Sequence, residues 1–418
     1  MRIYFAGLGG VGIGPLAMIA KSMGHEALGS DASSSRYTET VASAGIAVVL
    51  DQTGQALAAA HSQSPIDWFV YTAALPSDHP ELAKARELGL KTSKRDELLN
   101  HLIQEKGLKL IAASGTHGKT TVTGMLIWLF MQLNQRTSYS IGTNISFGPS
   151  GRYEDGSQYF IYEADEYDRN MLQFRPYASL IPSLDYDHPD TYPTKSDYLD
   201  AFSEFVRQSH CTYMWRRDAE SLGLSSGGCV HAFGTDTKLD QIKLPGLHNR
   251  RNAYLAVQCV RELLAKPESE LIELINDFPG TERRFEKLTD NLYTDYAHHP
   301  AEIAATLQLA GELNKNVIAV YQPHQNLRQH EIKDSYNKAF AGAKRVYWLP
   351  TYLSREDDSL PVLTPAELIS GLDEPDKAEA ADMDDKLKSK LDKHRRRGEL
   401  VVLMAAGTLD AWARQQWT

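Results

Sequence analysis

Cysteine is scarce in this sequence: Cys211, Cys229 and Cys259 are odd in number and lack CxxC spacing. That excludes a disulfide framework and gives no zinc site, so buried free thiols are the expectation. Long apolar runs are also lacking. The longest, Met125 to Leu133, is interrupted by Gln132 and falls far short of the ~20 residues a bilayer span needs, so no membrane contact is expected. The N-terminus enters a strand pattern and a glycine turn without the apolar segment and cleavage site of a secretory signal, which implies a cytoplasmic protein. Positive charge is short too. With 44 Lys and Arg against 54 Asp and Glu the net charge is −10, and nucleic acid is excluded as the main partner because neutralising phosphates needs a basic surface. The one basic run, His394 to Arg397, is expected to be a solvated helix end. What remains is a water-soluble chain with 42% hydrophobic residues and a mean hydropathy of −0.39, and its 418 residues imply two to four domains at roughly 100–200 residues each.

Three α/β units follow one another. The first opens with a strand pattern over Arg2 to Ala6, the glycine turn Gly7 to Gly12, a helix to Met23 and a second strand ending at Ser30-Asp31, a βαβ start. Ile46 to Leu50 and Trp68 to Thr72 are further strands, and Glu81 to Leu88 a helix. A second beginning appears at Leu108 to Ala113, with an apolar helix over Thr120 to Leu133, strands at Tyr159 to Tyr162, Ala178 to Ile181 and Tyr213 to Trp215, and a helix over Asn249 to Leu264. Pro279-Gly280 breaks the pattern. The third unit alternates strands (Asn291 to Asp295, Val317 to Tyr321, Arg345 to Leu349, Leu400 to Met404) with helices (Ala301 to Leu309, Glu331 to Phe340), which predicts a parallel sheet with covered faces. The expected fold class is thus α/β in three domains: 1–105, Rossmann-like; 106–279, a P-loop ATPase-type domain; and 280–418, Rossmann-like again.

The strongest chemical signal is Ser114-Gly115-Thr116-His117-Gly118-Lys119-Thr120-Thr121, between a strand and a helix. The strict P-loop pattern wants glycine where Ala113 stands, yet Gly115, Gly118, Lys119 and Thr120 keep the working parts. Backbone N–H groups face phosphates, Lys119 reaches the β and γ oxygens, and the Thr120 hydroxyl can ligate Mg²⁺. Glu163-Ala164-Asp165-Glu166-Tyr167-Asp168 ends a strand of the same unit. Alone it reads equally well as a solvated acidic loop; beside a P-loop it reads as a Mg²⁺ site, because Mg²⁺ takes oxygen ligands and shares them with phosphates. Glu163, nearest the strand, is the first candidate ligand. His188, in Asp185 to Asp190, is a candidate for a second metal or for orienting a reacting group, although a structural hydrogen-bond partner is the commoner role.

Gly7-x-Gly9-x-x-Gly12, with Asp31 nineteen residues on, satisfies the dinucleotide fingerprint, but the same turn holds the diphosphate of a nucleotide sugar equally well. Gly9, Gly10, Val11, Gly12 and Asp31 are its candidate contacts. In the third unit Asp295 to Pro300 and Gln322 to Arg328 each end a strand, where ligands gather in such sheets. His298 and His299 lack a third ligand at recognisable spacing, so substrate contacts are expected rather than a metal. Arg284, paired with Arg283, reads either as a triphosphate clamp or as plain surface.

Taken in order, GLGGVG (7–12), GTHGKTT (115–121), EADEYD (163–168), DHPDTY (187–192), PGLHNRRNA (245–253), ERRFE (282–286), DYAHHPAEI (295–303) and YQPH (321–324) resemble the Mur ligase family. The resemblance covers essentially the whole chain. It implies an ATP-dependent, Mg²⁺-requiring ligase of peptidoglycan precursor synthesis, which activates the lactyl carboxylate of UDP-N-acetylmuramic acid as an acyl phosphate and joins it to the amine of an amino acid, L-alanine in the branch most resembled. By similarity Thr120 and Glu163 hold one Mg²⁺ and His188 a second. Asn249 and Asn252 recognise adenine, Arg284 and His324 sit near the nucleotide, and Tyr296, His298 and Arg328 shape the amino-acid site. A monomer or weak homodimer is implied.

Departures are specific. Gln325 stands where the family places the first of two arginines, leaving Arg328. Ser203 occupies the position of a carbamylated lysine in several relatives, in keeping with the alanine-adding branch. The stretch between Phe233 and Pro245 is short, and Ala405 to Thr408 replaces a GAG turn. EADEYD points to a sister branch that attaches a recycled tripeptide, whereas YQPH and AHHPAEI point back. The remaining alternatives are an NAD-dependent oxidoreductase built on Gly7 to Gly12 and a catalytically silent nucleotide-binding partner.

Overall fold

A computed structural model describes residues 1–418 apart from Ala73, Ala74, Pro189, Arg355, Asp357, Asp358 and Thr418. Pro189, inside the fourth matching block, is thus outside the described residues. The chain forms two compact units, Met1–Gln241 with Asn252–Phe278, and Ile242–Arg251 with Pro279–Thr418.

Among the described residues the first unit holds two sheets. Its N-terminal sheet is five parallel strands whose centre is Arg2–Ala6, flanked by Glu26–Ser30 and Trp68–Tyr71, with Ala47–Val49 and Lys91–Lys94 at the edges. The central strand is buried on both faces and reads as a continuous apolar run, as a covered parallel sheet requires. Helix Ile13–Ser22 leaves the glycine turn at its C-terminal edge. The second sheet has seven strands. Lys109–Ala113 lies between Ala178–Ile181 and Tyr159–Glu163, and the parallel register pairs Ala113 with Glu163. That pairing sets an acidic side chain beside the loop that follows Ala113. Helix Lys119–Gln132, apolar nearly all round and almost wholly buried, runs back along the sheet.

The second unit has a six-stranded sheet in which Leu400–Ala405 separates Leu292–Asp295 from Val317–Gln322, all parallel, with Glu286–Thr289 antiparallel at one edge. One side of it is filled by an aromatic cluster: Trp348 is fully buried and lies 5.1–5.2 Å, centroid to centroid, from the rings of Tyr321, Tyr336 and Phe340.

Three sequence expectations are corrected. The helix expected over Glu331 to Phe340 spans Asn326–Ile332 and tightens into a 3₁₀ turn at Lys333–Tyr336. Tyr336 is drawn into the core by hydrogen bonds of 2.7 Å to Tyr321 and to Gln329, which ends the regular helix. Of the cysteines only Cys259 is buried; Cys211 begins a strand half-exposed, and Cys229 is exposed before the edge strand Val230–Phe233. The basic run is not uniformly solvated, for His394 bonds Glu399 and Tyr347, and Arg395 reaches the Asp290 carbonyl, while Arg396 and Arg397 stay exposed. Strands Lys91–Lys94, Ser138–Ser140, Gly151–Arg152, Val230–Phe233, Glu286–Thr289 and Ala378–Ala380 escaped notice; they are short and carry no clear alternation, the signal by which half-buried strands are recognised.

Trp348→Ala is expected to destabilise the second unit by about 3–5 kcal/mol. Trp348→Phe should cost distinctly less, because the indole N–H has no partner among the described residues. Hydrogen exchange along Val317–Gln322 measures both.

Candidate functional site

The phosphate-loop sequence turns where Gly118 adopts φ +88°, a left-handed conformation, and a Cβ there would stand 3.0–3.1 Å from the Asn252 amide. Glycine is thus needed for the turn, and a side chain there would also press on Asn252. The loop is fastened to the neighbouring strand end. Thr116 N–H donates to the Ser183 carbonyl at 3.1 Å, His117 N–H to Ser183 Oγ at 2.9 Å, and the Thr116 hydroxyl to the Asp185 carbonyl at 2.6 Å. In this state the Thr116 and His117 amides hold the loop in shape, and the helix N-terminus beyond Gly118 is left to face phosphate.

Lys119 Nζ lies 2.7 Å from Glu166 Oε2 and donates to the Gly115 carbonyl at 2.7 Å. Glu166 is 1% exposed, and its Oε1 is 3.4 Å from His188 Nε2. Burial works against the charge of every member. In Glu166 the Lys119 ammonium and His188 overcome it and hold the carboxyl below its usual range. Lys119 is raised by Glu166 against the same penalty, and His188 is raised by its hydrogen bond to Glu166. Asp165 goes the other way: burial and the neighbouring Glu166 charge raise it. A few ångströms along, the Thr120 hydroxyl donates to Glu163 Oε1 at 2.6 Å, and Gly142 N–H donates to Glu163 Oε2 at 2.8 Å.

Sequence reasoning brought Lys119, Thr120, Glu163 and His188 to one place but passed over Glu166, which joins Lys119 to His188. Its signal was the acid cluster itself. Which of the four carboxylates points inward depends on the chain reversing at Asp168 and Arg169, both at left-handed φ (54° and 56°), and no local pattern announces that.

At the N-terminal turn the Gly7 and Leu8 amides donate to the Ser30 carbonyl at 2.9 and 3.0 Å, and Gly9 N–H donates to Asp31 Oδ2 at 2.7 Å. Asp31 here fixes the glycine turn. Gly10 N–H closes the turn on the Gly7 carbonyl at 3.0 Å, Val11 is exposed, and Gly12 is the N-cap of helix Ile13–Ser22.

In the second unit the Tyr296 ring carries the Arg283 and Arg284 guanidinium groups at 4.6 and 5.2 Å from its centroid, a cation–π arrangement. Arg283 is also bound to the Ala405 carbonyl at 2.7 Å, so the two arginines are not an equivalent surface pair. His298 Nδ1 lies 3.0 Å from the Tyr296 carbonyl and 3.3 Å from Glu302. The His298 ring meets that of His324, which stacks on Tyr352 at 5.7 Å. His299 instead caps helix Pro300–Leu313. Asn249 donates to the Pro245 carbonyl at 3.0 Å. Arg328 lies on helix Asn326–Ile332, directly after Gln325, whose backbone is held at φ 62°. His248 was missed: burial, then Arg284, depress its imidazole to about 4.

A phosphate loop with its lysine clamped by a buried carboxylate, at the end of a strand in a seven-stranded α/β sheet, defines a nucleotide-dependent enzyme. Family models match in order along the chain: the Mur ligase family catalytic domain at residues 2–106, the Mur ligase middle domain at 113–222, and the Mur ligase glutamate ligase domain at 283–407. The chain is 31% identical to the UDP-N-acetylmuramate–L-alanine ligase of Clostridium perfringens, covering 85% of this chain and 84% of that relative. It is 32% identical to the same-named protein of Clostridium botulinum strain Loch Maree, covering 86% and 84%. Among solved structures, the UDP-N-acetylmuramate-alanine ligase of Thermotoga maritima superposes with a TM-score of 0.77 at 23% identity, covering 100% of this chain and 98% of that one. A murein peptide ligase from Psychrobacter arcticus gives 0.68 at 21%, with the same coverage. The chain belongs to the Mur ligase family.

Native His248 stays neutral while the unfolded chain takes up a proton near 6.5. Its contribution to stability is present above that pH and is lost as pH falls toward 4. His248→Asn should lose less stability than the wild type between pH 6.5 and 4, as read by chemical unfolding at each pH.

Proposed function

We propose that this chain is an ATP-dependent ligase that joins L-alanine to the lactyl carboxylate of UDP-N-acetylmuramic acid. The observation that carries the proposal is the Lys119–Glu166–His188 cluster beside Thr120 and Glu163, in a chain whose relatives at 31–32% identity bear that activity in their names. Domains at 1–105, 106–279 and 280–418 would take the nucleotide sugar, ATP and the amino acid in turn. No helix among the described residues is long and apolar enough to cross a membrane; the proposed setting is a cytoplasmic enzyme acting as a monomer or weak homodimer.

A carboxylate is a poor acyl donor, so the γ-phosphoryl group of ATP first passes to the lactyl oxygen and ADP leaves. The amine then attacks the acyl carbon, the phosphate departs with its oxygen, and loss of the amine proton leaves the amide. Protein catalysis of such a transfer is positioning and charge neutralisation. Lys119, released from Glu166 toward the β and γ oxygens, supplies a positive charge where negative charge moves, and Gly115 to Thr121 cradle the phosphates. Asn252, packed against Gly118, and Asn249 recognise the base; Arg284 and His324 attend the nucleotide; Tyr296, His298 and Arg328 receive the amino acid. Gly9 to Gly12, in a turn fixed by Asp31, hold the diphosphate of the sugar nucleotide.

Magnesium fits the residues present. Thr120 and Glu163 are oxygen donors 2.6 Å apart, and His188 is a nitrogen donor next to acids. Among the described residues no group of three or more His, Cys, Asp or Glu could hold a metal ion, so phosphate oxygens would have to complete the shell. Bound there, the ion would offset charge on the transferring phosphoryl group.

Phosphate release from ATP with UDP-N-acetylmuramate should be stimulated by L-alanine more than by L-serine, glycine or the recycling tripeptide. Lys119→Ala should lower it by about 10²–10³ or more. Stimulation by the tripeptide alone would move the substrate and point to Gln325; no stimulation by any amine would sink the ligase reading.

A further inference from the structure

Arg95 opens helix Arg95–Glu105 and belongs to none of the motifs above. Its guanidinium packs on the glycine turn: a Cβ on Gly12 would stand 2.4 Å from Nη1 and 3.2 Å from Cδ. Gly12 has an ordinary right-handed backbone (φ −103°, ψ −36°), so its lack of a side chain leaves room there for the Arg95 guanidinium rather than serving the turn. The rest of the fork faces carboxylates. Nε lies 3.4 Å from Asp96 Oδ2, and Nη2 lies 4.0 Å from Asp165 Oδ2. Asp96 is buried and accepts the Tyr162 hydroxyl, so it is a fixed anchor. Asp165 precedes Glu166, the partner of Lys119. The preceding residue, Lys94, pairs with Asp168 at the far end of the same acidic segment. Nη1 has no hydrogen-bond partner among the described residues, and it lies where the turn opens into helix Ile13–Ser22.

Arginine offers donors in a planar fork, suited to two anions at once. Here Nε donates to Asp96, Nη2 faces Asp165 across a long ion pair of 4.0 Å, and Nη1 lies against Gly12 of the turn where a diphosphate belongs. We infer that Arg95 is a positioning residue, which grips the substrate's diphosphate through Nη1 while braced by Asp96 and Asp165, and so ties the nucleotide-sugar site to the carboxylates around the phosphate loop. The inference rests on the reading of the glycine turn as the nucleotide-sugar site.

Titration calorimetry of the full chain with UDP, UMP and ADP tests it. Failure of the wild type to bind either UDP or UDP-N-acetylmuramate would remove the underlying reading and the inference together. If UDP binds, the wild type should prefer it to UMP, and Arg95→Met should cut that preference by about tenfold or more, the worth of one charge-assisted contact. Arg95→Lys, which keeps the charge without the fork, should cut it by less, and ADP affinity alone should not move in either. A merely structural arginine would weaken UDP and UMP alike, and an unchanged ratio overturns the inference. Where Arg95→Met does not fold, the ratio in Arg95→Lys decides. Saturating UDP should also change wild-type ADP affinity about fivefold or more, and Asp165→Asn should abolish that change. An uncoupled wild type, or full coupling in the variant, overturns the brace.

Discussion

A buried carboxylate needs a partner, and the Glu166–Lys119 ion pair is the interaction on which the site depends. Glu166 is 1% exposed, and leaving such a charge unpaired costs several kcal/mol. Lys119 meets one oxygen at 2.7 Å and His188 approaches the other at 3.4 Å, while Tyr192 donates its hydroxyl to the Glu166 carbonyl at 2.5 Å. These contacts hold the strand end at Glu163, the loop after Ile181 and the phosphate loop in one arrangement before any nucleotide arrives. Preorganisation of this kind is what electrostatic catalysis requires, because dipoles already in place need not reorganise as charge moves.

The sheet makes the pairing possible. Parallel register sets Ala113 against Glu163 and Leu180 against Ala113, so the carboxyl ends of three strands converge where the switch in strand order opens a crevice. The phosphate loop enters that crevice, and Ser183 fastens it there through two backbone donors.

What was legible in the sequence was local. Gly118, Lys119 and Thr120 follow one another and announce a phosphate loop, because the chemistry of that turn lies within eight residues. The first and third sheets were legible from alternation of apolar segments, since buried parallel strands are continuous apolar runs. Glu166 was not, although its neighbours were singled out, since its inward direction is fixed by a reversal at Asp168 and Arg169. Arg95 was invisible for a stronger reason: apart from the adjacent Asp96, its partners Gly12 and Asp165 come from segments that only the fold unites. His248 sits inside a matching block, yet its depressed basicity comes from burial and from Arg284, thirty-six residues away. The misplaced helix near Glu331 was a failure of periodicity, since Gln329 and Tyr336 face the core through hydrogen bonds rather than as apolar members of a stripe.

One segment whose sequence departs from the resemblance, at Gln325, is held under backbone strain. Gln325 sits at φ 62° and ψ 122°, a region that costs a residue with a side chain of order 1–3 kcal/mol. The fold sustains that cost from both sides. Gln325 N–H donates to the Tyr352 carbonyl at 2.9 Å, and the buried Asn326 next to it bonds the Pro361 carbonyl at 3.1 Å and the Leu363 amide at 3.0 Å. A side chain leaving position 325 therefore starts from a fixed point. Replacing a family arginine by glutamine there removes a charge without loosening the frame that would aim it. On the proposed ligase reading, a substrate carboxylate would then rely on Arg328, one helical turn further on, and selection among amines would fall to shape and neutral hydrogen bonds at 325. Such groups reject a wrong partner mainly when they are left unpaired.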